Sequence, residues 1–525
     1  MKYQIKILLA LLAISGLSCQ KILDTKPMDF LSPETYFTTK DQANTALNGV
    51  YSVLGEENAN FMHNPTNLID GNDEAYFPRI AQTTGLAVNT ISAEHVDVNN
   101  LWRGLYDGVN RANVLIKNLQ NSPISQTDKA PILGQALTLR AFYYFWLVIN
   151  WGDVPLKLEP TSSVNSVDIA RTSSAEVYAQ IVKDLEQAEP LVQSATQVGF
   201  GGRINKSAVR GLLARVNLHW AGFPLQNTAR YAEALKWSQM VIQSNEHDLN
   251  PSYSQIFINQ CQDKYDIKEM IWEVEFWGNR TSDAYLEAGR IGSLIGIACQ
   301  NATIGICADR ASTTLKLFDS YKAEPDGSSK DQRRDWAIAP FKYNNATKVP
   351  WTATQKLYRN AGKWRREYET LTPKNANYTP INYPLIRYSD ILLMFAEAEN
   401  AINGPTAAAL DAVNQVRRRG YGKAVHTPDV TIDISGVDKA GLLKVIQDER
   451  LRELCFEGLR KWDLIRWGIF LDACHQEAAN IDANAQADVK YASFGIKSVT
   501  DRNLLLPIPS SELTLNQLIT QNPGW

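Results

Sequence analysis

Between positions 388 and 402 apolar side chains return at steps of four, three and four. Ile391, Phe395, Ala398 and Ile402 thereby stack on one face of a helix, and such a face must be buried. The same periodicity predicts helices over 41–54, 101–119, 130–150, 175–191, 206–221, 231–242, 406–419 and 442–470, most simply grouped as antiparallel pairs.

Alanines fall where two helices of a pair have to approach closely. Ala396 and Ala408 stand twelve residues apart, the separation of the two small positions in a tetratricopeptide repeat, and Ala214 and Ala234 make a similar pair across a longer turn through Gly222, Phe223 and Pro224. The period is irregular, so the pattern supports stacked helix pairs without naming the repeat. From 245 to 383 the helical pattern fades, Gly, Asn, Thr and Pro become frequent, and Trp272, Trp277, Trp336, Trp351 and Trp364 are scattered through the segment. The expected fold is mostly α: tetratricopeptide-like helix pairs form a scaffold, and an irregular, loop-rich region carries the binding surface. Segments 60–99 and 424–437 are further irregular stretches.

The N-terminus has the parts of an export signal. Lys2 and Lys6 form a basic head, an apolar run covers 7–14, and Ser15 to Ser18 lead into Cys19. Eight apolar residues are too few to span a bilayer, which takes about 20. A cysteine after a small residue at this place resembles a bacterial lipobox, which implies acylation of Cys19 once 1–18 are removed. The alternative is a secreted protein in which Cys19 is incidental. The remaining 19–525 reads as one domain with an N-terminal helical part (19–244), a loop-rich part (245–383) and a C-terminal helical part (384–525).

Charge and cysteines narrow the partners. A formal net charge of −3 over 525 residues favours neither nucleic acid nor an anionic membrane surface. Cys261, Cys299, Cys307, Cys455 and Cys474 are too sparse for a disulfide framework, although Cys299 and Cys307 lie close enough in sequence to pair. The 13 Trp and 21 Tyr suit a surface that grips flat, partly apolar ligands, and suit a large core equally well.

Several distinctive blocks follow one another along the chain. They are Leu23, Asp24 and Pro27 of an LDxxP start; NRAN at 110–113; RAFYYFWLVINWGDVP at 140–155; LLARVNL at 212–218; and EMIWEVEF at 269–276. IRYSDILLMFAEAEN follows at 386–400, AVNQVRRRGYG at 412–422, ERLRELCFEGLRKWDLIRWG at 449–468, and the ending LLLPIPSSELTLNQLITQNPGW. Each block also has a physical reading. WGDVP is a helix stop at Gly152 and Pro155, Arg450, Glu453, Glu457 and Arg460 have the spacing of ion pairs along one helix, and Arg387 and Asp390 read as a satisfied polar pair. In this order the blocks resemble the SusD/RagB family of outer-membrane nutrient-binding lipoproteins of Bacteroidetes, and the resemblance implies a non-enzymatic, lipid-anchored protein of the outer membrane, facing the exterior. Such a protein binds oligosaccharide or polysaccharide and delivers it to a SusC-like TonB-dependent transporter.

Catalytic and metal motifs are missing. The sequence has no HExxH, P-loop, dinucleotide fingerprint or GxSxG elbow, and its six histidines are isolated. DGNDE at 70–74 begins like a calcium loop and then fails, with Ala75 at the sixth position and Ala81 at the twelfth. No cofactor is expected. Sugar recognition needs an aromatic plane with amide, carboxylate or guanidinium groups at its edge. Two loops offer both, one with Asp70, Asn72, Asp73, Tyr76 and Phe77, the other with Trp277, Asn279, Arg280, Asp283 and Tyr285. The selected candidates are Asp73, Tyr76, Trp277, Arg280 and Tyr285. A RagB-like peptide receptor, a glycan-degrading enzyme on a helical scaffold and a helical adaptor without a small ligand are the alternatives.

Overall fold

The computed structural model describes residues 36–59, 61–163, 167–280 and 288–525. Cys19, the LDxxP start and Tyr285 lie outside them. The longer helices are α1 (Lys40–Gly55), α2 (Val96–Asn121), α3 (Gln126–Trp151), α4 (Ser174–Ala188), α5 (Lys206–Ala221) and α6 (Arg230–Ile242). After them come α7 (Tyr253–Cys261), α8 (Tyr388–Asn403), α9 (Ala407–Gly420), α10 (Lys439–Leu454), α11 (Arg460–Arg466) and α12 (Phe470–Asn484). Three short antiparallel pairs connect the irregular parts: β1 (Ala75–Tyr76) with β3 (Ser312–Thr313), β2 (Met270–Val274) with β6 (Tyr383–Arg387), and β4 (Phe341–Asn344) with β5 (Thr347–Pro350).

Local signals set the helix ends. Thr39 caps α1 in a reciprocal box with Gln42, Ser125 caps α3, and Gly152 ends it at φ 70°. Helix α3 is long and apolar enough to suit a membrane span, yet nearly all of it is buried, and α1, α2 and α4 pack around it. It is the central helix of the N-terminal half. Its Tyr143 side chain is locked by a hydrogen bond as well as by packing, since Tyr143 Oη donates to the Val50 carbonyl at 2.6 Å. Gly108 of α2 lies against that ring, and an added Cβ would stand 2.5 Å from Tyr143 Cε2. Because the ring is tethered, Gly108→Ala is expected to destabilise the fold by about 1–3 kcal/mol, measurable as a lowered urea midpoint.

Helix pairing follows the small residues, with one shift of register. Ala214 and Ala234 are fully buried between α5 and α6, and α6 also packs on α8. In the next pair Ala396 is buried but Ala408 is exposed, and Ala409 takes the inward place. The predicted apolar face of α8 holds for Ile391, Phe395 and Ala398. Ile402 departs from it at 44% exposure, in the last turn of the helix.

The predicted helix over 442–470 is broken. Helix α10 stops at Leu454, and Phe456 (φ 63°) and Gly458 (φ 69°) carry the chain through a tight reversal before α11. The four charged residues at helical spacing therefore do not pair with one another. Arg450 serves Asp390 and Asp463, Glu453 meets Arg333, Arg387 and Arg419, Glu457 meets Lys363 and Arg387, and Arg460 meets Asp73. Arg387 and Asp390 are each satisfied, but by other residues: Arg387 by Glu269, Glu453 and Glu457, Asp390 by Arg215 and Arg450. These pairs are buried and tie the sequence blocks to one another.

The segment 245–383 is less open than its composition suggests. It includes α7, and Trp272 and Trp364 are fully buried, with the Trp364 indole N–H donating to Gln260 at 2.9 Å. Cys299 and Cys307 exchange backbone hydrogen bonds across an antiparallel bridge (3.2 and 2.9 Å), and both thiols are free.

Candidate functional site

The two candidate loops come to the same side of the molecule with different parts exposed. In the first loop Asn72 turns inward, donating to the Ile69 carbonyl (2.8 Å) and accepting from the Glu74 N–H (2.9 Å). Asp73 is buried in a two-point ion pair with Arg460, both contacts at 2.7 Å. Tyr76 is buried in β1, and its hydroxyl donates to the Leu357 carbonyl at 2.7 Å. Both side chains are thus turned into the fold and engaged there. They were chosen for their polar groups, and the fold uses those groups internally. Phe77, the next residue, is the one whose ring reaches the surface cleft.

Asp70 is buried without a hydrogen-bond partner, and burial pushes its carboxyl well above the usual range. The DGNDE turn thus points its oxygens inward. Among the described residues no three His, Cys, Asp or Glu side chains are grouped to hold a metal ion.

In the second loop Gly278 (φ 73°) and Arg280 (φ 51°) turn the chain outward after β2. Trp277 is 54% exposed, a large value for an indole. Together with Arg280 it lines an open cavity of about 780 Å³ whose walls include Tyr51, Glu56, Glu57 and Arg203. The Arg203 guanidinium lies 4.6 Å over the Tyr51 ring. Arg280 donates to Glu57 at 2.8 Å and lies 4.2 Å over Tyr378, whose hydroxyl also donates to Glu57 at 3.2 Å. The hydrogen bond from Arg280 holds the Glu57 carboxyl below its ordinary value. His63 sits buried beside Tyr378, with ring centroids 6.2 Å apart, and burial lowers its pKa to about 4, so the imidazole is neutral.

From Tyr378 the surface continues to Arg290, 5.9 Å from the ring. Arg290 in turn lines a second, smaller cleft of about 240 Å³, with Phe77, Arg310, Asn64, Asn67 and Gln82 among its other walls. The Arg310 guanidinium lies 5.3 Å over Phe77. The pairing of β1 with β3 brings Phe77 and Arg310 together across more than two hundred residues of sequence. Two openings, joined by Arg280, Tyr378 and Arg290, thus make one strip of rings flanked by guanidinium groups. Such a strip can stack on an apolar ring face and hydrogen-bond at its edge. Of the sequence candidates, Trp277 and Arg280 are on it. Tyr378, Arg290 and Arg310 were missed because each stands in an irregular segment with no motif around it.

The architecture has close counterparts. A solved SusD homologue from Bacteroides thetaiotaomicron superposes with a TM-score of 0.85 at 26% identity, covering 94% of this chain and 98% of its own. Residues 268–525 match the SusD family, and residues 21–218 match a SusD-like family described as starch-binding and associating with the outer membrane. The chain belongs to the SusD family. Among its relatives, SusD-like protein P25 of Formosa agariphila is 24% identical over 99% of this chain and 98% of its own length. The starch-binding protein SusD of B. thetaiotaomicron is 24% identical over 74% of this chain and 71% of its own. In this SusD-like chain the blocks with the strongest resemblance are largely buried charge and aromatic packing. The strip described above is instead built from less patterned loops.

Proposed function

We propose that this protein captures oligosaccharide or polysaccharide at the outer membrane and passes it to a SusC-like TonB-dependent transporter without altering it. It is held by a lipid on Cys19 and faces the exterior. The observation that carries the binding role is the half-exposed Trp277 over a cavity of about 780 Å³, next to the Arg280–Glu57–Tyr378 cluster. A half-exposed indole offers part of an apolar plane to a sugar ring, and the cluster supplies fixed donors and acceptors beside it. A starch-binding relative supports a sugar as the ligand, and the export signal ahead of Cys19 supports the anchoring.

The test is calorimetric titration of the mature protein with a panel of oligosaccharides and a peptide pool. At least one sugar is expected to bind, and Trp277→Ala is expected to weaken it about tenfold or more, in line with the loss of one stacking contact. Preference for peptide would replace the glycan reading with the RagB-like one. Release of reducing ends from a bound sugar would replace capture with hydrolysis.

A further inference from the structure

The smaller cleft carries a charge that the fold does not use. Arg290 and Arg310 both line it, and neither guanidinium makes an ion pair or a hydrogen bond within the described residues. The Nε of each is buried and without a partner. Several buried guanidinium groups elsewhere in the chain are treated differently. Arg140, Arg333, Arg387, Arg460 and Arg466 are each met by carboxylates. An unmatched donor in a partly desolvated place is costly, and two side by side add repulsion.

Arg79, a neighbour of the cleft, contrasts with its two arginines. It is close enough to Arg310 to help lower that group's pKa, yet it is matched by Asp309 at 2.8 Å and by carbonyls of Pro78 and Ala308. Asp97 is the one carboxylate on the cleft wall among the described residues, and it lies 3.9 Å from His95. Among the described residues the cleft therefore has a surplus of positive charge, with Arg310 fixed over Phe77. Guanidinium groups match the flat, two-oxygen edge of a carboxylate and the oxygens of a sulfate.

We propose that Arg290 and Arg310 hold the acidic substituent of an anionic oligosaccharide, the carboxylate of a uronate or a sulfate ester. The inference rests on the glycan reading above and names the class of glycan. At about 240 Å³ the cleft is smaller than the roughly 300 Å³ at which pockets for drug-sized ligands begin. It suits one charged sugar unit or one substituent, with the rest of the chain running past Arg290 towards Tyr378 and Trp277.

The experiment titrates the mature protein with tetragalacturonate, a sulfated carrageenan tetrasaccharide and maltotetraose at two salt concentrations. One of the two anionic sugars is expected to bind more tightly than the neutral one, and which of them does so separates carboxylate from sulfate. That binding is expected to weaken at high salt. The double variant Arg290→Gln/Arg310→Gln should lose about a hundredfold in affinity, roughly tenfold for each charge-assisted contact. The pair Arg290→Lys/Arg310→Lys, which keeps the charge, should recover part of it, and unchanged melting curves would show that both variants fold. If maltotetraose binds as well as the tighter of the two anions, or the Gln variant keeps its affinity, the inference fails while the glycan reading stands. If no sugar binds and peptides do, both fail.

Discussion

Arg387→Met is expected to yield little or no folded protein. The Arg387 side chain is fully buried and serves three carboxylates at once: Glu269 at 2.7 Å, Glu453 at 3.0 Å and Glu457 at 2.7 Å. It also donates to the Ser389 hydroxyl and to the Glu453 carbonyl. Methionine fills much of the volume but leaves the acids without their shared partner. Removing one member of a buried ion pair costs about 3–5 kcal/mol, against a total stability of about 5–15 kcal/mol for a typical domain. Here one change affects three acids, although Arg333, Arg419 and Lys363 retain contact with Glu453, Glu269 and Glu457. Arg387→Lys keeps the charge and loses the fork, so it should fold with a lower urea midpoint. Lys117→Ala, which breaks the exposed pair with Glu159, should change stability by less than about 1 kcal/mol. Soluble yield and urea titration of the three variants would check this, and normal stability of the methionine variant would contradict it.

That network also explains which parts of the chain could be read in advance. Helix periodicity is a local signal, and it placed α1 to α6, α8 and α9 close to their observed ends. The break after Leu454 was invisible to it, because charged residues at spacings of three and four look the same whether they face one another or four different elements. Helices α7 and α12 were hidden for a related reason. Helix α7 lies in a segment whose composition reads as loop, and α12 buries its apolar residues in a separate small cluster with Tyr76, Leu315 and Leu357. The site was legible only in part. Trp277 and Arg280 follow directly on a buried strand, so their exposure is set by a glycine turn close in sequence. Arg310 meets Phe77 through a strand pairing between distant segments, and nothing near either residue announces it. Asp73 and Tyr76 have suitable chemistry for sugar contact, but Arg460 draws the first inward and the Leu357 carbonyl the second, and both partners lie far along the chain.

A second large effect is expected from pH, and it comes from the turn that holds Asp73. Glu74 is buried, and burial raises its pKa from about 4.5 to about 8 despite the nearby Arg460 charge. Glu273 and Glu477 are pushed up to about 7, also chiefly by burial. These acids keep their protons in the folded protein at pH values where the unfolded chain has released them. Their contribution to stability is therefore full below about pH 4.5 and is lost as pH rises through 7 to 8. Glu453 works the other way. Its arginine partners outweigh burial and bring it down to about 2, so its contribution is full above about pH 4.5 and is lost only as the solution becomes strongly acidic. The buried His63, lowered to about 4, loses stability between about pH 6.5 and 4. Between pH 6.5 and 8, then, the raised carboxyls dominate, and stability should fall by about 3 kcal/mol across that interval, at up to roughly 1.4 kcal/mol per pH unit for each group. Above pH 7 Glu74 supplies most of the slope. Glu74→Gln copies the protonated acid and keeps an oxygen for the Phe456 N–H, which Glu74 accepts at 3.2 Å. The variant should match the parent protein near pH 5 and exceed it by about 3 kcal/mol or more at pH 8, with a flatter dependence above pH 7. Urea midpoints measured from pH 5 to 8 would show this, and parallel curves for the two proteins would mean that Glu74 is already ionised in the fold.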